Sequence, residues 1–206
     1  MRKSSPADPK KRKGLIIVNT GEGKGKSTAA FGLALRAAGN KMNVFIMQFM
    51  KGQWKAGERK SFEKLSPYVE FEAMGNGFTW DTNNIEQDKA TARKAFEIAK
   101  EKLLGGKYHM VIFEEINYVL DYKFFPEDEF LELLKNKPEK VHVVCTGRNA
   151  SDKLIDMADL VTEMRMIKHP FKDQGIPHRR ELNFKPLKLL RLKISICKLS
   201  VGIRTN

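Results

Sequence analysis

Ten residues near the start of the chain, Asn19-Thr20-Gly21-Glu22-Gly23-Lys24-Gly25-Lys26-Ser27-Thr28, combine glycines, lysines and hydroxyls in a pattern suited to holding phosphate. Glycines let backbone N–H groups turn toward an anion, a lysine reaches the outer phosphates of a nucleotide, and a serine hydroxyl ligates Mg²⁺. The flanks supply the required context. Leu15-Ile16-Ile17-Val18 reads as a buried strand, and Ala29 to Ala38 is rich in helix formers and stopped by Gly39-Asn40. A helix beginning there adds its dipole to the loop. Gly21, Glu22, Gly23, Lys24, Gly25, Lys26, Ser27 and Thr28 are the expected nucleotide-binding residues, with Lys26 on the outer phosphates and Ser27 on the metal. The spacing departs from the usual phosphate loop. Position 20, where the first glycine belongs, is Thr, and counting from Gly21 leaves the loop one residue short.

Further groups cluster at strand ends. Val111-Ile112-Phe113-Glu114-Glu115 has the form of a Walker B strand, whose terminal acids hold Mg²⁺ directly or through water. Neighbouring strand residues point to opposite sides, so the two carboxylates are not expected to serve the same metal. Thr146-Gly147-Arg148 closes another strand, and Arg148 is suited to bidentate phosphate binding. Phe78 and Trp80, on a loop with Gly75 and Gly77, face the same way if extended. They form either a small satellite core or a platform for a flat ligand. His109 and His142 lie in or beside apolar strands and read as structural, and no Cys/His spacing suggests zinc.

Composition narrows the class. The net charge of +13 sits at the ends: +5 in residues 1–14, +6 in residues 185–206, and only +2 in the 170 residues between. A nucleic-acid-binding face on the folded body is therefore not expected. Two cysteines far apart in the chain, Cys145 and Cys197, give no disulfide framework and fit a reducing, cytoplasmic compartment. No run reaches the ~20 apolar residues of a membrane span.

The elements that must position these groups follow in order. Asn43–Phe49 is a buried strand, Met50–Ser61 a polar connection, and Val69–Met74 a half-buried or edge strand. Gln87–Leu104 carries a helical stripe, His109–Phe113 is a strand, and a helix opens at Pro126 and runs through Leu134. Val141–Cys145 is a strand, Ser151–Ala158 a helix and Leu160–Met166 a last strand. Strands alternating with helices predict an α/β fold with a mainly parallel sheet covered on both faces. Ligands of such folds sit at the carboxyl ends of the strands, where the phosphate loop, Gln48, Glu114-Glu115 and Thr146-Gly147-Arg148 converge. The expected division is a basic disordered tail over 1–13, one domain over 14–184, and a basic extension over 185–206.

Together these segments resemble the ATP:corrinoid adenosyltransferases of the cobalamin pathway, over about residues 14–176 and more weakly to 184. The short loop Thr20–Thr28 carries the likeness, with Gln48-Phe49-Met50-Lys51-Gly52-Gln53-Trp54 and Gly77-Phe78-Thr79-Trp80. Glu115-Ile116-Asn117-Tyr118, Thr146-Gly147-Arg148 and Lys168-His169-Pro170-Phe171 complete it. The resemblance implies a RecA-like P-loop fold, usually homodimeric. It implies ATP and a reduced corrinoid as substrates, Mg²⁺ or Mn²⁺ as cofactor, and an electron donor such as a flavoprotein. The reaction implied is attack of Co(I) on the ribose 5′-carbon with inorganic triphosphate leaving. Lys26 and the loop amides, with Mg²⁺ on Ser27 and Glu115, would stabilise that leaving group. Phe78 and Trp80 match the family's aromatics that pack on the lower corrin face and displace the lower axial ligand. The family usually has Asp where Glu114 stands and commonly Thr where Ser27 stands. The rival readings are a P-loop ATPase or kinase cleaving the γ-phosphate, and a nucleotide-binding module without catalysis.

Beyond residue 184, Leu190, Leu192, Ile194 and Ile196 alternate with Arg191, Lys193 and Ser195 at strand spacing. The extension is expected to be dispensable. Truncation after Phe184 should leave soluble yield and adenosyl transfer at the full-length level; a large loss of either would place the extension in the core or the site.

Overall fold

A computed structural model describes residues 13–50, 57–74, 84–177 and 179. Six strands form one sheet: β1 (Ile16–Thr20), β2 (Val44–Gln48), β3 (Val69–Ala73), β4 (Met110–Glu114), β5 (His142–Thr146) and β6 (Leu160–Glu163). Their order is β3-β2-β4-β5-β1-β6, and every pairing is parallel. The α/β expectation holds at this level. Strands β1, β2 and β4 are buried along their whole length, as apolar, β-branched runs covered on both faces must be. The edges differ from the middle. β3 is mostly half-buried, as its alternation predicts, while all of β6 is exposed.

Alternate residues of each strand feed two cores. Ile17, Ile46, Ile112 and Val144 pack with Ala30, Phe31, Ala34, Ala37 and Ala38 of α1 (Lys26–Gly39) and Phe62 of α2 (Gly57–Glu63). Val18, Met47, Val111, Phe113 and Cys145 face the larger core. That core is closed by α3 (Ile85–Leu104), α4 (Ile116–Asp121), α5 (Glu127–Lys135) and α6 (Asp152–Met157). Phe96 stacks on Phe125 at 4.6 Å, and Phe113 meets Phe130 edge-on at 5.3 Å. The small side chains of α1 bring that helix close to the sheet, and with it the loop before it.

Several boundaries move. Helix α2 begins within the polar connection after Met50 and runs past its expected end at Ser61; its one buried residue, Phe62, leaves too thin an apolar stripe to announce a helix. Helix α4 follows β4 after a single residue, Glu115, so its apolar positions merge with those of the strand. The last strand ends at Glu163 rather than Met166. Helix α3 starts at Ile85 because the Asn84 side chain accepts the Gln87 N–H. His142 Nδ1 accepts the Leu15 N–H at 3.1 Å and His109 Nδ1 the Asn43 N–H at 3.0 Å. Both histidines hold chain segments leading into strands. The chain divides into two compact units between Ile167 and Lys168. In the second, α7 (Pro170–Gln174) is capped by His169, whose Nδ1 accepts the Phe171 and Lys172 N–H groups at 3.2 Å each. Among the described residues no helix is long and apolar enough to cross a membrane.

Edge strand β3 is secured by charge. Glu70 accepts from Lys102 at 2.5 Å, from Lys107 at 3.0 Å and from the Tyr108 hydroxyl. Burial opposes its charge, but these hydrogen bonds outweigh burial and hold the carboxyl at about 2. A depressed carboxyl pKa contributes stability above its ordinary value, near 4.5, that is lost as pH falls through about 2. The pair is a third exposed, and screening reduces the contribution to ~1 kcal/mol. Glu70→Gln should therefore lower the unfolding free energy in urea by about 1 kcal/mol at neutral pH. The gap from the parent should close on acidification from 4.5 to 2; a gap independent of pH would assign it to packing.

Candidate active site

The nucleotide loop joins β1 to α1 at the carboxyl edge of the sheet. Gly21 and Gly25 adopt φ of +91° and +111°, which L side chains rarely tolerate. Two of the glycines answer to packing as well. A Cβ on Gly21 would lie 2.7 Å from the Met164 carbonyl oxygen, and one on Gly23 2.6 Å from the same atom. The Gly23 N–H donates to that oxygen at 2.5 Å, so it is engaged with the backbone beyond β6 rather than turned toward an anion. Gly25 precedes α1 with no side-chain cap and no acid in the first turn, which leaves the positive end of the helix to the loop.

Lys26 and Ser27 open α1. The Lys26 ammonium donates to the Gly21 and Gly23 carbonyls at 2.6 and 2.5 Å. Burial lowers its pKa; Glu115 and Glu22 work against that, and Arg148 and Lys24 add to it. Arg148 lies 3.3 Å from Glu22 on the loop, both side chains substantially exposed, so the pair is weak and readily exchanged for another anion. Lys24 and Thr28 are exposed beside them. The loop, Lys26, Ser27, Arg148 and the charge of Glu115 are thus gathered at one edge.

The acid against Ser27 is Glu114. The Ser27 hydroxyl donates to Glu114 Oε1 at 2.7 Å, while Glu115, the acid expected beside Ser27 on the metal, follows it at the end of the strand. Side-chain alternation explains the Ser27–Glu114 contact. Glu114 shares the parity of Ile112, which faces α1, while Glu115 lies past the strand in a left-handed turn, φ +65°, that leads into α4. The Glu115 N–H is fixed by the Thr146 hydroxyl at 2.9 Å, and its carboxylate acts on Lys26 through its charge. The same parity places Gln48, Glu114, Thr146 and Asn19 in one row across β2, β4, β5 and β1, one step beyond the apolar layer under α1. All four are buried, and Gln48 Nε2 donates to Glu114 Oε2 at 3.0 Å. Sequence reasoning placed Gln48 at this edge but not against the acid; register alone brings them together.

Arg148 is aimed by a second set of contacts. Asn117, 1 % exposed, donates from Nδ2 to the Gly147 carbonyl at 2.9 Å. Gly147 has φ +133°, and a Cβ there would lie 2.8 Å from Asn117 Cβ. The turns after β4 and β5 are therefore locked together, and the Thr20 hydroxyl accepts the Ala150 N–H at 3.2 Å just beyond. Phe78 and Trp80 lie outside the described residues, as do Lys51 to Trp54 of the segment after β2.

The donor set is one of hard oxygens. Among the described residues no group of three His, Cys, Asp or Glu side chains could hold a metal by itself. A hydroxyl beside a single carboxylate is what Mg²⁺ uses when nucleotide phosphates and water complete its shell. The residues fit a metal that arrives with its nucleotide.

The family model described as "ATP:corrinoid adenosyltransferase BtuR/CobO/CobP" matches residues 12–184. A corrinoid adenosyltransferase of Sinorhizobium sp is 47% identical over 174 residues, 84% of this chain and 81% of that protein. One of Escherichia coli (strain K12) is 42% identical over 170 residues, covering 82% and 85%. The corrinoid adenosyltransferase CobA of Salmonella typhimurium is 39% identical over 178 residues, covering 86% and 89%. Likeness of this extent, over the segments that build the loop and the strand ends described above, establishes that the chain belongs to the ATP:corrinoid adenosyltransferase family.

Proposed function

We propose that this chain transfers the 5′-deoxyadenosyl group of ATP to the Co(I) centre of a corrinoid substrate and releases inorganic triphosphate. The observation that carries the reading is the short phosphate loop leading into Ser27, whose hydroxyl meets Glu114 at 2.7 Å, in a chain of this family. One C–O bond breaks at the ribose 5′-carbon and one Co–C bond forms, with the electron pair supplied by reduced cobalt. No protein nucleophile is required. The chain's task is to hold the 5′-carbon in line and to neutralise a highly charged leaving group.

Lys26 leaves the loop carbonyls for the triphosphate, a better acceptor than the neutral oxygens that hold it at 2.6 and 2.5 Å. Arg148 exchanges Glu22 for phosphate oxygen in the same way. The uncapped first turn of α1 adds its N–H groups. Ser27 and Glu114 would hold Mg²⁺ or Mn²⁺, which when bound with ATP neutralises charge on the phosphate oxygens. Glu115 supports Lys26 through its charge. Phe78 and Trp80 are assigned to the lower face of the corrin, excluding water and a sixth ligand from cobalt. A RecA-like arrangement is the finer reading of the fold, supported by β5 lying between loop strand β1 and acid strand β4. A cytoplasmic homodimer supplied by a flavoprotein electron donor belongs to the same reading, carried by the family resemblance.

Lys26→Ala should reduce adenosyl transfer by ~10²–10³ at saturating Mg²⁺, the typical loss for one preorganised group facing developing charge. Its melting temperature should match the parent's. Near-parental turnover would remove Lys26 from the leaving-group site, and phosphate in place of triphosphate as the product of ATP would overturn the transfer reading itself.

Replacing Phe78 and Trp80 together with Ala should leave ATP affinity nearly unchanged, because the phosphate loop is intact. Turnover should fall steeply from a Co(II) corrinoid with its lower ligand attached, and much less from corrinoid chemically reduced to Co(I). Equal losses with both substrates would restrict the pair to supporting the fold. Lost ATP affinity would move it to the nucleotide.

A further inference from the structure

Glu114 is a fully buried carboxylate, and its two oxygens face different partners. Oε1 receives the Ser27 hydroxyl at 2.7 Å and Oε2 the Gln48 amide at 3.0 Å. Gln48 is itself 3 % exposed, and its strand is held along both of its edges, by β4 and by β3. Gln48 pairs in register with Glu114; the Phe49 N–H donates to the Glu114 carbonyl at 3.1 Å, and the Met74 N–H to the Gln48 carbonyl at 3.1 Å. The amide therefore approaches from a backbone that has little freedom to shift. A carboxylate held at only one oxygen can turn about its terminal torsion, which is broad and two-fold. Anchoring Oε2 removes that freedom and leaves Oε1 directed at Ser27.

We infer that Gln48 is a positioning residue for the metal–nucleotide site: its amide fixes which oxygen of Glu114 is presented beside Ser27, and so sets affinity for the divalent cation that accompanies ATP. This rests on the proposed metal role of Ser27 and Glu114. Partners that orient a metal's ligands are typically worth 10- to 100-fold in metal affinity. Gln48 acts through Glu114.

The test is Mn²⁺ binding to the full chain with ATP and no corrinoid, followed by the electron paramagnetic resonance signal of free and bound Mn²⁺. Gln48→Met keeps the length and removes the donor; Gln48→Asn keeps an amide one methylene short of Glu114. Either variant should weaken Mn²⁺ binding about tenfold or more and raise the Mg²⁺ needed for half-maximal turnover by a similar factor. The corrinoid KM should stay at the parental value. If Gln48→Met does not fold, Gln48→Asn carries the same expectation. Mn²⁺ affinity within twofold of the parent in a folded variant overturns the inference, even with a lowered melting temperature, since that is what a purely structural amide would give. Glu114→Gln separates the layers. If it too leaves Mn²⁺ affinity unchanged, the metal role of Glu114 fails and the inference about Gln48 fails with it. If it abolishes binding while the Gln48 variants do not, only the inference falls.

Discussion

A carboxylate with no exposure to water organises this molecule. Burying the charge of Glu114 is costly unless its oxygens are matched by donors, and a lost donor leaves ~1–3 kcal/mol of unsatisfied desolvation. Two of its donors come from separate places, Ser27 at the start of α1 and Gln48 at the end of β2. Satisfying Glu114 therefore fixes α1 against the sheet and joins β2 to β4 at the carboxyl edge, beside the glycine loop. The apolar layer one step below, Ile17, Ile46, Ile112 and Val144 against the alanines of α1, sets the separation at which those hydrogen bonds close. Packing and polarity are thus one constraint, for a helix held further from the sheet would leave the acid without Ser27.

The loop is tight for a related reason. Its glycines lie against the backbone that leaves β6, so closely that Gly21 and Gly23 have no room for a Cβ. That approach commits the Gly23 N–H to Met164, so the proposed anion site is built from the first turn of α1, Lys26 and Arg148. Lys26 is held by neutral carbonyls and Arg148 by an exposed ion pair, both replaceable contacts. The cations are prepared for a ligand more negative than their present partners, which suits triphosphate leaving from the 5′-carbon.

Much of this was legible in the residues. The glycine loop, the apolar strands ending in acid or in Thr-Gly-Arg, and the small-residue helix each carry local signatures that fix an element and its chemistry. The half-buried alternation of Val69 to Met74 marked an edge strand, and β3 is one. Helices α2 and α4 were not legible, because one buried phenylalanine and a strand-adjacent apolar run give no distinct helical period.

What the sequence by itself determined is that a nucleotide loop, two acids and an arginine gather at strand ends. Which acid meets Ser27 was left to tertiary structure. Alternation says that Glu114 and Glu115 diverge, but not which side of β4 faces α1; that depends on where the helix packs. The pairing of Gln48 with Glu114 likewise follows from strand order and register, relations between segments 66 residues apart that no local pattern encodes. The close approach of residues 163–165 to the loop has the same origin, since β6 pairs with β1 across the whole of the intervening chain.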